Sequence, residues 1–183
     1  MRLVVGISGA TGVVYGIRLL EVLKELGVET HLVITDMAKA TIAIETTHCM
    51  SKVERLASKV YQIRDLAAGI SSGSFATDGM IVAPCSVRTL SAIANCASDN
   101  LLTRAADVTL KERRRLVLLF RETPLHAGHC QLMLDATRNG AIIMPPMPAF
   151  YTRPETIAEI VDHSVGRVVE MWGLEMPGLK RWE

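Results

Sequence analysis

The stretch Leu3-Val4-Val5-Gly6-Ile7-Ser8-Gly9-Ala10-Thr11-Gly12 decides the fold, together with the helical pattern that follows it over residues 13–26. An apolar run suited to a buried strand passes through a glycine-rich loop into a helix, which Gly27 closes. Such a loop lets the backbone approach a ligand, and the N–H groups at the start of the helix suit a phosphate. A tight turn without a ligand needs the same glycines, so the loop alone leaves both interpretations open.

Strands and helices alternate along the rest of the chain. Continuous apolar runs predict strands at residues 3–7, 30–35, 79–83, 116–120 and 141–144. Helical patterns occupy residues 37–47, 86–95, 100–112 and 126–138, and a last helix begins near Pro154, whereas residues 48–77 are less regular. Apolar runs without alternation suit a parallel sheet covered on both faces. We therefore predict an α/β fold, a single doubly wound parallel sheet with helices on both faces (Rossmann- or flavodoxin-like). It forms one domain over residues 1–183, with ligands at the carboxyl ends of the strands.

Charge and hydrophobicity exclude several classes of protein. The chain has 20 Lys and Arg against 19 Asp and Glu, a net charge of +1, which argues against a general binder of nucleic acid or membrane surfaces. Hydrophobic residues make up 49% of the chain and the mean hydropathy is +0.27, so we expect both a large core and apolar surface buried between subunits. No apolar stretch approaches the ~20 residues of a membrane span, and the start of the chain does not resemble a signal peptide.

The cysteines and histidines do not predict a metal site. Cys49, Cys85, Cys96 and Cys130 form neither a CxxC pair nor a zinc spacing, and we interpret them as reduced thiols of a cytoplasmic protein. His126 and His129 are three residues apart and could form a metal pair. No third ligand is spaced nearby, so we interpret them as one face of a helix.

The glycine spacing does not fit the common nucleotide-binding enzymes. The loop reads GxxGxxG rather than GxGxxG, although Asp36 could hold a ribose as in a dinucleotide site. Short-chain dehydrogenases need a tyrosine with a lysine four residues later. The residues at that spacing after Tyr15, Tyr61 and Tyr151 are Leu19, Asp65 and Glu155. A kinase-type P-loop is excluded because no Gly-Lys dipeptide occurs.

Polar and charged residues gather where the predicted strands end. Ser86, in the sequence PCSVRT (84–89), either caps the next helix or binds a phosphate, and nothing nearby in sequence would activate Cys85 as a nucleophile. Glu122 follows Arg121 and is either an acid or base or the partner of an ion pair. Arg104 and Lys111 share one helical face, whereas the arginines at 113–115 are interpreted as a solvated face.

Taken together, these stretches resemble the UbiX-type flavin prenyltransferases, including their Pad-type relatives associated with phenylacrylic and aromatic acid decarboxylation. The resemblance runs from about residue 3 to Trp182. It rests on SGATG (8–12), SSGSFATDGMIVAPCS (71–86), DNLLTRAADVTLKERR (99–114), LFRETPLH (119–126), PPMPAFYTRPET (145–156), VGRVVE (165–170) and RW (181–182). The set in this order is highly specific, although a single stretch would not be.

The resemblance implies a metal-independent enzyme that joins a dimethylallyl group from dimethylallyl phosphate to N5 and C6 of reduced FMN. The prenylated FMN then serves a UbiD-type aromatic acid decarboxylase. By position, FMN is held by Gly9, Ala10, Thr11, Thr35, Ser86, Val87, Arg88, Thr89 and Arg121; the allylic phosphate by Arg104, Lys111, Tyr151 and Arg167; and protons are handled by Glu122, Glu45 and Thr11. Cations assist because they neutralise the charge that the departing phosphate gains. The resemblance also implies a homo-oligomer, commonly a dodecamer, with sites at subunit junctions.

Three positions depart from the family pattern, and two other functions stay open. Thr11 stands where Ser is frequent, Arg88 where Lys is common and Phe120 where Pro is frequent, but none removes a required functional group. The chain could instead be an FMN-binding aromatic acid decarboxylase subunit or a non-catalytic flavin carrier. A second cationic pocket argues against the carrier, because one FMN phosphate does not need it.

Overall fold

The computed structural model describes residues 1–182, which contain six strands and seven α-helices. The strands are β1 (Arg2–Ile7), β2 (Glu29–Ile34), β3 (Lys59–Tyr61), β4 (Gly79–Cys85), β5 (Arg115–Phe120) and β6 (Ala141–Ile143). The helices are α1 (Val13–Glu25), α2 (Asp36–Glu45), α3 (Met50–Glu54), α4 (Val87–Ala94), α5 (Leu101–Lys111), α6 (Ala127–Arg138) and α7 (Ile157–Val169).

All strand pairs are parallel, and the sheet order is β3-β2-β1-β4-β5-β6. This is the Rossmann-like order, in which the chain moves outward from β1 in one direction and then resumes at β4 in the other. The predicted α/β fold with one doubly wound parallel sheet is confirmed. The reversal between β1 and β4 leaves a crevice at the carboxyl edge, since the connections after these two strands leave in opposite directions.

Each face of the sheet carries its own apolar core. Leu3, Val5 and Ile7 of β1 face the core that contains α1, α2, α3 and α7, whereas Val4 faces the core that contains α4, α5 and α6. The alternation follows from the two-residue repeat of a strand. Because both faces are covered, every position of β1 after Arg2 is buried, which explains why the sequence shows continuous apolar runs.

Two elements lie in the segment that showed no regular pattern. Strand β3 has only three residues, two of them exposed, and α3 has only five, so neither is long enough for a recognisable apolar repeat. The predicted start of the last helix is also wrong. Thr156 caps α7 by accepting from the N–H of Glu159, and Pro154 lies before that cap, next to Arg153 with its φ of 51°.

Helix boundaries elsewhere agree with the capping signals. Gly27 has a φ of 69° just after α1, where its N–H donates to Lys24 O and the N–H of Val28 donates to Leu23 O. This pair of bonds is a Schellman motif, and the left-handed conformation explains why a glycine stands there. No helix within residues 1–182 combines the length and apolar character that a membrane crossing requires.

Candidate functional site

A cleft of about 600 Å³ opens at the carboxyl edge of the sheet. Pockets of this size accommodate cofactors and drug-sized ligands. The cleft is lined by residues that follow five consecutive strands of the sheet, together with the start of α5: Gly9, Ala10, Thr11, Thr35, Asp36, Met37, Ile63, Arg64, Ser86, Val87, Arg88, Thr89, Asp99, Asn100, Arg121 and Glu122.

Ser8 joins the ends of β1 and β4 below the cleft. Its side chain is fully buried, and its hydroxyl donates to Pro84 O (2.9 Å) while accepting from the N–H of Ser86 (2.8 Å). A third bond runs from the N–H of Ser8 to Pro84 O (3.2 Å). These contacts fix the glycine loop relative to the start of α4. The sequence analysis did not single out Ser8, because its partners lie 76 and 78 residues away.

The N-terminus of α1 is occupied by a carboxylate of the same chain. Glu45, at the end of α2, accepts from the N–H groups of Gly12 (2.8 Å) and Val13 (3.2 Å) through Oε2. The expectation that α1 offers these N–H groups to a phosphate is therefore wrong. Glu45 satisfies them and complements the positive end of the helix dipole.

The glycine loop leaves no room for a side chain at Gly9. A Cβ at that position would lie 2.4 Å from the Cβ of Met37, at the start of α2. The loop therefore passes directly over α2, which brings Ala10 and Thr11 to the mouth of the cleft beside Thr35.

Two further helices begin in the cleft with their N-termini open to it. Ser86 caps α4 by accepting from the N–H of Thr89 (3.3 Å), and Thr35 caps α2 by accepting from the N–H of Ala38 (3.1 Å). The N–H groups in the first turn of α4, at Val87 and Arg88, have no acceptor within the helix. A phosphate or another anion fits here, where the dipole and unpaired N–H groups act together. The predicted cap at Ser86 is confirmed.

Arg88, Arg121 and Glu122 are charged residues that line the cleft. Arg121 follows β5, with its N–H donating to Cys85 O (3.0 Å), and the Arg88 side chain is 90% exposed, with Nη2 3.9 Å from Asp99 Oδ2. Glu122 is exposed and accepts from the N–H of Thr123 (2.9 Å) through Oε1. Its other oxygen has no partner among residues 1–182, so it is available to a ligand.

Comparisons with known proteins place this chain among flavoproteins. A sequence profile of the Flavoprotein family matches residues 1–169. The flavin prenyltransferase UbiX of Thauera aromatica is 56% identical over 182 residues, which is all of this chain and 94% of the relative. This chain belongs to the UbiX-type flavin prenyltransferase family.

Solved structures of UbiX-type proteins share the whole fold. AnUbiX (PadA1), solved in complex with FMN and dimethylallyl pyrophosphate, superposes with a TM-score of 0.98 at 51% identity, covering 100% of this chain and 97% of that one. A structure described as a dodecameric FMN-dependent UbiX-like decarboxylase from Escherichia coli O157:H7 gives the same TM-score and identity, with 100% of both chains covered.

Of the two sets of binding residues predicted for this UbiX-type protein, the FMN set lines the cleft and the set for the allylic phosphate does not. All nine residues predicted to bind FMN line it, as does Glu122, and Glu45 lies beside it through its bond to Gly12. The predicted phosphate residues Arg104, Lys111, Tyr151 and Arg167 do not line the cleft. Arg104 and Lys111 lie on α5 and Arg167 on α7, and these helices cover opposite faces of the sheet.

Arg104 and Lys111 lie against the loop over residues 71–77. Arg104 donates to Ser71 O (3.1 Å) and pairs with Asp107 (2.7 Å), and Lys111 pairs with Glu112. Gly73 allows this arrangement, since a Cβ there would lie 2.6 Å from Lys111 Nζ.

The three arginines at 113–115 differ in their surroundings. Arg114 is half-buried and donates to Gly73 O (2.8 Å), Phe75 O (2.9 Å) and Thr77 Oγ1 (3.3 Å). The guanidinium of Arg115 lies 5.4 Å from the centre of the Trp172 ring. The interpretation of this run as a solvated face is therefore wrong for Arg114, because loop carbonyls supply partners that the local sequence does not reveal. Arg115 is exposed, as that interpretation predicts.

Tyr151 and Arg167 lie beside the C-terminal segment. The Tyr151 hydroxyl is 3.0 Å from His163 Nε2, and its ring meets the Trp182 ring edge-on at 5.3 Å. Arg167 pairs with Glu170, whose other oxygen accepts from Arg181 (3.0 Å). The tyrosine and the arginine are therefore both held in place by neighbours on or after α7.

The histidine pair and the buried cysteine have structural explanations. His126 is the N-cap of α6, accepting from the N–H of Gly128 (3.0 Å), and its ring stacks on His129 at 3.7 Å. Across residues 1–182, no three His, Cys, Asp or Glu side chains gather as metal ligands would.

Cys85 is fully buried, and this burial raises the pKa of its thiol far above the ordinary value, which makes it a poor nucleophile.

Proposed function

We propose that this chain transfers a dimethylallyl group from dimethylallyl phosphate to N5 and C6 of reduced FMN, releasing prenylated FMN. The observation that carries the proposal is the cleft at the β1–β4 reversal, which is lined by all nine residues that the family resemblance assigns to FMN. The enzyme is a transferase, and its reaction needs no metal because arginine and lysine neutralise the departing phosphate.

The donors of the cleft suit FMN. The N-termini of α2 and α4 offer hydroxyl and backbone donors to its phosphate, and Arg121 and Arg88 add positive charge. The bound flavin supplies a nucleophilic N5 when reduced and a π-face that stabilises an allylic cation. The protein contributes position and electrostatics, which is sufficient where the cofactor carries the chemistry.

We assign proton handling to Glu122, Glu45 and Thr11. Glu122 has one carboxylate oxygen held by its neighbour's N–H and the other directed to no protein group within residues 1–182. Glu45 is fixed by the two N–H groups at the start of α1, one residue after Thr11. Thr11 and Glu122 line the cleft and Glu45 lies beside it, which supports a role for all three in proton transfer.

The donor phosphate is proposed to bind where two subunits meet. Arg104 and Lys111 lie on α5, on one face of the sheet, whereas Arg167 lies on α7, on the other. Tyr151 contacts His163 of α7, so one pocket needs two chains to supply all four residues. Large exposed apolar side chains support such contacts, among them Ile44, Met147, Phe150 and Ile157, each at least 73% exposed. We propose a homo-oligomer, and a dodecamer by analogy with the Escherichia coli O157:H7 structure.

Mass spectrometry of the flavin tests the function directly. We expect that the purified protein, incubated with reduced FMN and dimethylallyl phosphate, yields FMN carrying one added five-carbon unit. The diphosphate is tested in parallel, because AnUbiX was solved with dimethylallyl pyrophosphate. FMN that stays bound but unmodified with both donors would contradict the transferase and favour a flavin carrier.

Co-expression of two inactive variants tests the two-subunit pocket. Lys111→Ala and Tyr151→Phe should each reduce prenylation strongly when expressed alone. In oligomers that mix the two variants equally, a junction is native when a Tyr151→Phe chain supplies Lys111 and a Lys111→Ala chain supplies Tyr151. Each condition is met in about half of the cases, so activity should recover to about a quarter of native. Homo-oligomers mixed only after purification, without subunit exchange, are the control. No recovery in the mixed oligomers would place both residues of a pocket on one chain.

The product is proposed to serve a UbiD-type aromatic acid decarboxylase, in agreement with the Pad-type resemblance. The description of the Escherichia coli O157:H7 structure as a decarboxylase raises direct decarboxylation as the second candidate. Release of CO₂ from an aromatic acid by this chain and FMN alone would favour that candidate.

The free thiols of Cys49, Cys96 and Cys130 suit a reducing compartment, and we propose a cytoplasmic location.

A further inference from the structure

His163 contacts the tyrosine to which we assign the donor phosphate. It lies one helical turn before Arg167 on α7, and its Nε2 is 3.0 Å from Tyr151 Oη. The two rings meet edge-on at 85°, and the short contact between them joins Nε2 to the phenol oxygen. His163 also lines the crevice that contains Arg167, between β6 and α7.

The direction of this hydrogen bond decides what the Tyr151 hydroxyl can do. If the phenol donates to a bare Nε2, its hydrogen is used within the protein and cannot reach a phosphate. If Nε2 carries the hydrogen and donates to Oη, the phenol hydrogen is free to point outward. A phosphate dianion only accepts hydrogen bonds, so it selects the second arrangement.

We propose that His163 is a positioning residue for Tyr151, which donates through Nε2–H to Tyr151 Oη and directs the phenol hydrogen to the phosphate of the prenyl donor. This inference rests on the proposed function, because it takes Tyr151 as a ligand of that phosphate. Trp182 also packs edge-on against the phenol ring, so the ring has two aromatic neighbours and only the hydroxyl hydrogen is left to orient.

The surroundings of His163 suit a neutral ring. Partial burial lowers its pKa, the charge of Arg167 lowers it further, and Glu170 acts in the opposite direction. A neutral ring that donates through Nε2 keeps an unprotonated Nδ1, so it orients Tyr151 without adding a charge that Arg167 would repel.

Equilibrium binding of dimethylallyl phosphate tests the proposal without turnover. The native protein is loaded with oxidised FMN, whose N5 is not nucleophilic, and titrated calorimetrically. We expect His163→Leu to raise the Kd for dimethylallyl phosphate roughly 5- to 20-fold, the effect of one lost hydrogen bond in a charged site. The affinity for FMN, the oligomeric state and the unfolding midpoint should stay close to native, because His163 does not line the FMN cleft.

Two conservative variants distinguish positioning from packing. His163→Gln can place an amide N–H near the site of Nε2 and should restore the native Kd to within about three-fold, whereas the shorter His163→Asn should bind as weakly as His163→Leu. Tyr151→Phe should weaken binding similarly, and the double variant Tyr151→Phe/His163→Leu should be no weaker than Tyr151→Phe alone, since both changes remove one interaction.

Three results would overturn the inference. In the first, His163→Leu binds the donor as tightly as native protein while Tyr151→Phe is weak, which leaves the proposed function intact. In the second, His163→Gln and His163→Asn bind dimethylallyl phosphate with the same Kd. This comparison also decides the case if His163→Leu fails to fold. In the third, Tyr151→Phe binds normally, which removes Tyr151 from the pocket of the proposed function as well.

Discussion

Replacing Glu122 by glutamine is expected to reduce the rate of flavin prenylation by roughly 10²- to 10³-fold, in the range of a lost general acid or base. FMN affinity should stay within about two-fold of native, because the amide oxygen of glutamine can still accept from the N–H of Thr123. The variant keeps the shape and the local hydrogen bond of Glu122 and loses its negative charge and its ability to exchange a proton. Stopped reactions analysed by mass spectrometry give the rate, and quenching of flavin fluorescence gives the affinity.

A matched control separates this effect from a general loss of charge. Glu54→Gln in α3 makes the same chemical change at a residue that does not line the cleft, and its rate should equal the native rate. Loss of FMN binding by a normally folded Glu122→Gln protein would show that Glu122 holds the flavin instead of a proton. An unchanged rate would remove Glu122 from the reaction.

Replacing Gly16 by alanine is expected to destabilise the protein by about 2–3 kcal/mol, the upper part of the range for overpacking a core. A Cβ at Gly16 would lie 2.2 Å from the carbonyl oxygen of Ala83 and 3.0 Å from Ile7 Cδ1. The oxygen belongs to the backbone of β4, so α1 must move away from the sheet. The gain in helix propensity, at most about 1 kcal/mol, does not offset this clash. Thermal unfolding followed by circular dichroism should show a midpoint lower by roughly 5–10 °C.

Gly166→Ala provides the comparison within the helix that packs on α1. The three atoms nearest to a Cβ at Gly166 would be side-chain carbons of Leu179, at 2.7 Å or more, and these can shift. We expect its stability to lie within about 1 kcal/mol of native, since the propensity gain and the small displacement nearly cancel. Both variants are measured at one protein concentration, because oligomerisation adds to apparent stability. A Gly16→Ala protein as stable to unfolding as the Gly166→Ala protein would show that α1 can move away from β4 without loss of stability.

The Gly16 variant should also bind FMN more weakly. Helix α1 carries the glycine loop at its N-terminus, and Ser8 ties that loop to Pro84, next to the Ala83 oxygen that the new Cβ would strike. Displacing α1 therefore disturbs the junction of β1 and β4, where the cleft lies. The packing of α1 and the shape of the cleft are thus coupled through the Ala83 carbonyl group.

The sequence alone determined the order of the long elements and, through its resemblance to the family, the nine predicted FMN residues that line the cleft. Apolar runs without alternation identify buried parallel strands, and the residues after such strands meet at one edge of the sheet. For this reason the residues after β1, β2, β4 and β5 that the sequence analysis assigned to FMN all line one cleft. Short elements such as β3 escaped detection because three residues do not make a pattern.

Only the tertiary structure decided which groups act on each other across the chain. It brought Glu45 to the N-terminus of α1 from 33 residues away, a contact that no local pattern encodes. It also separated Arg104 and Lys111 from Tyr151 and Arg167 by a sheet, and placed His163 on Tyr151 from 12 residues away. The physical reason is that periodicity records which face of its own element a residue occupies. The partner across that face depends on how helices and loops pack after the strands have paired.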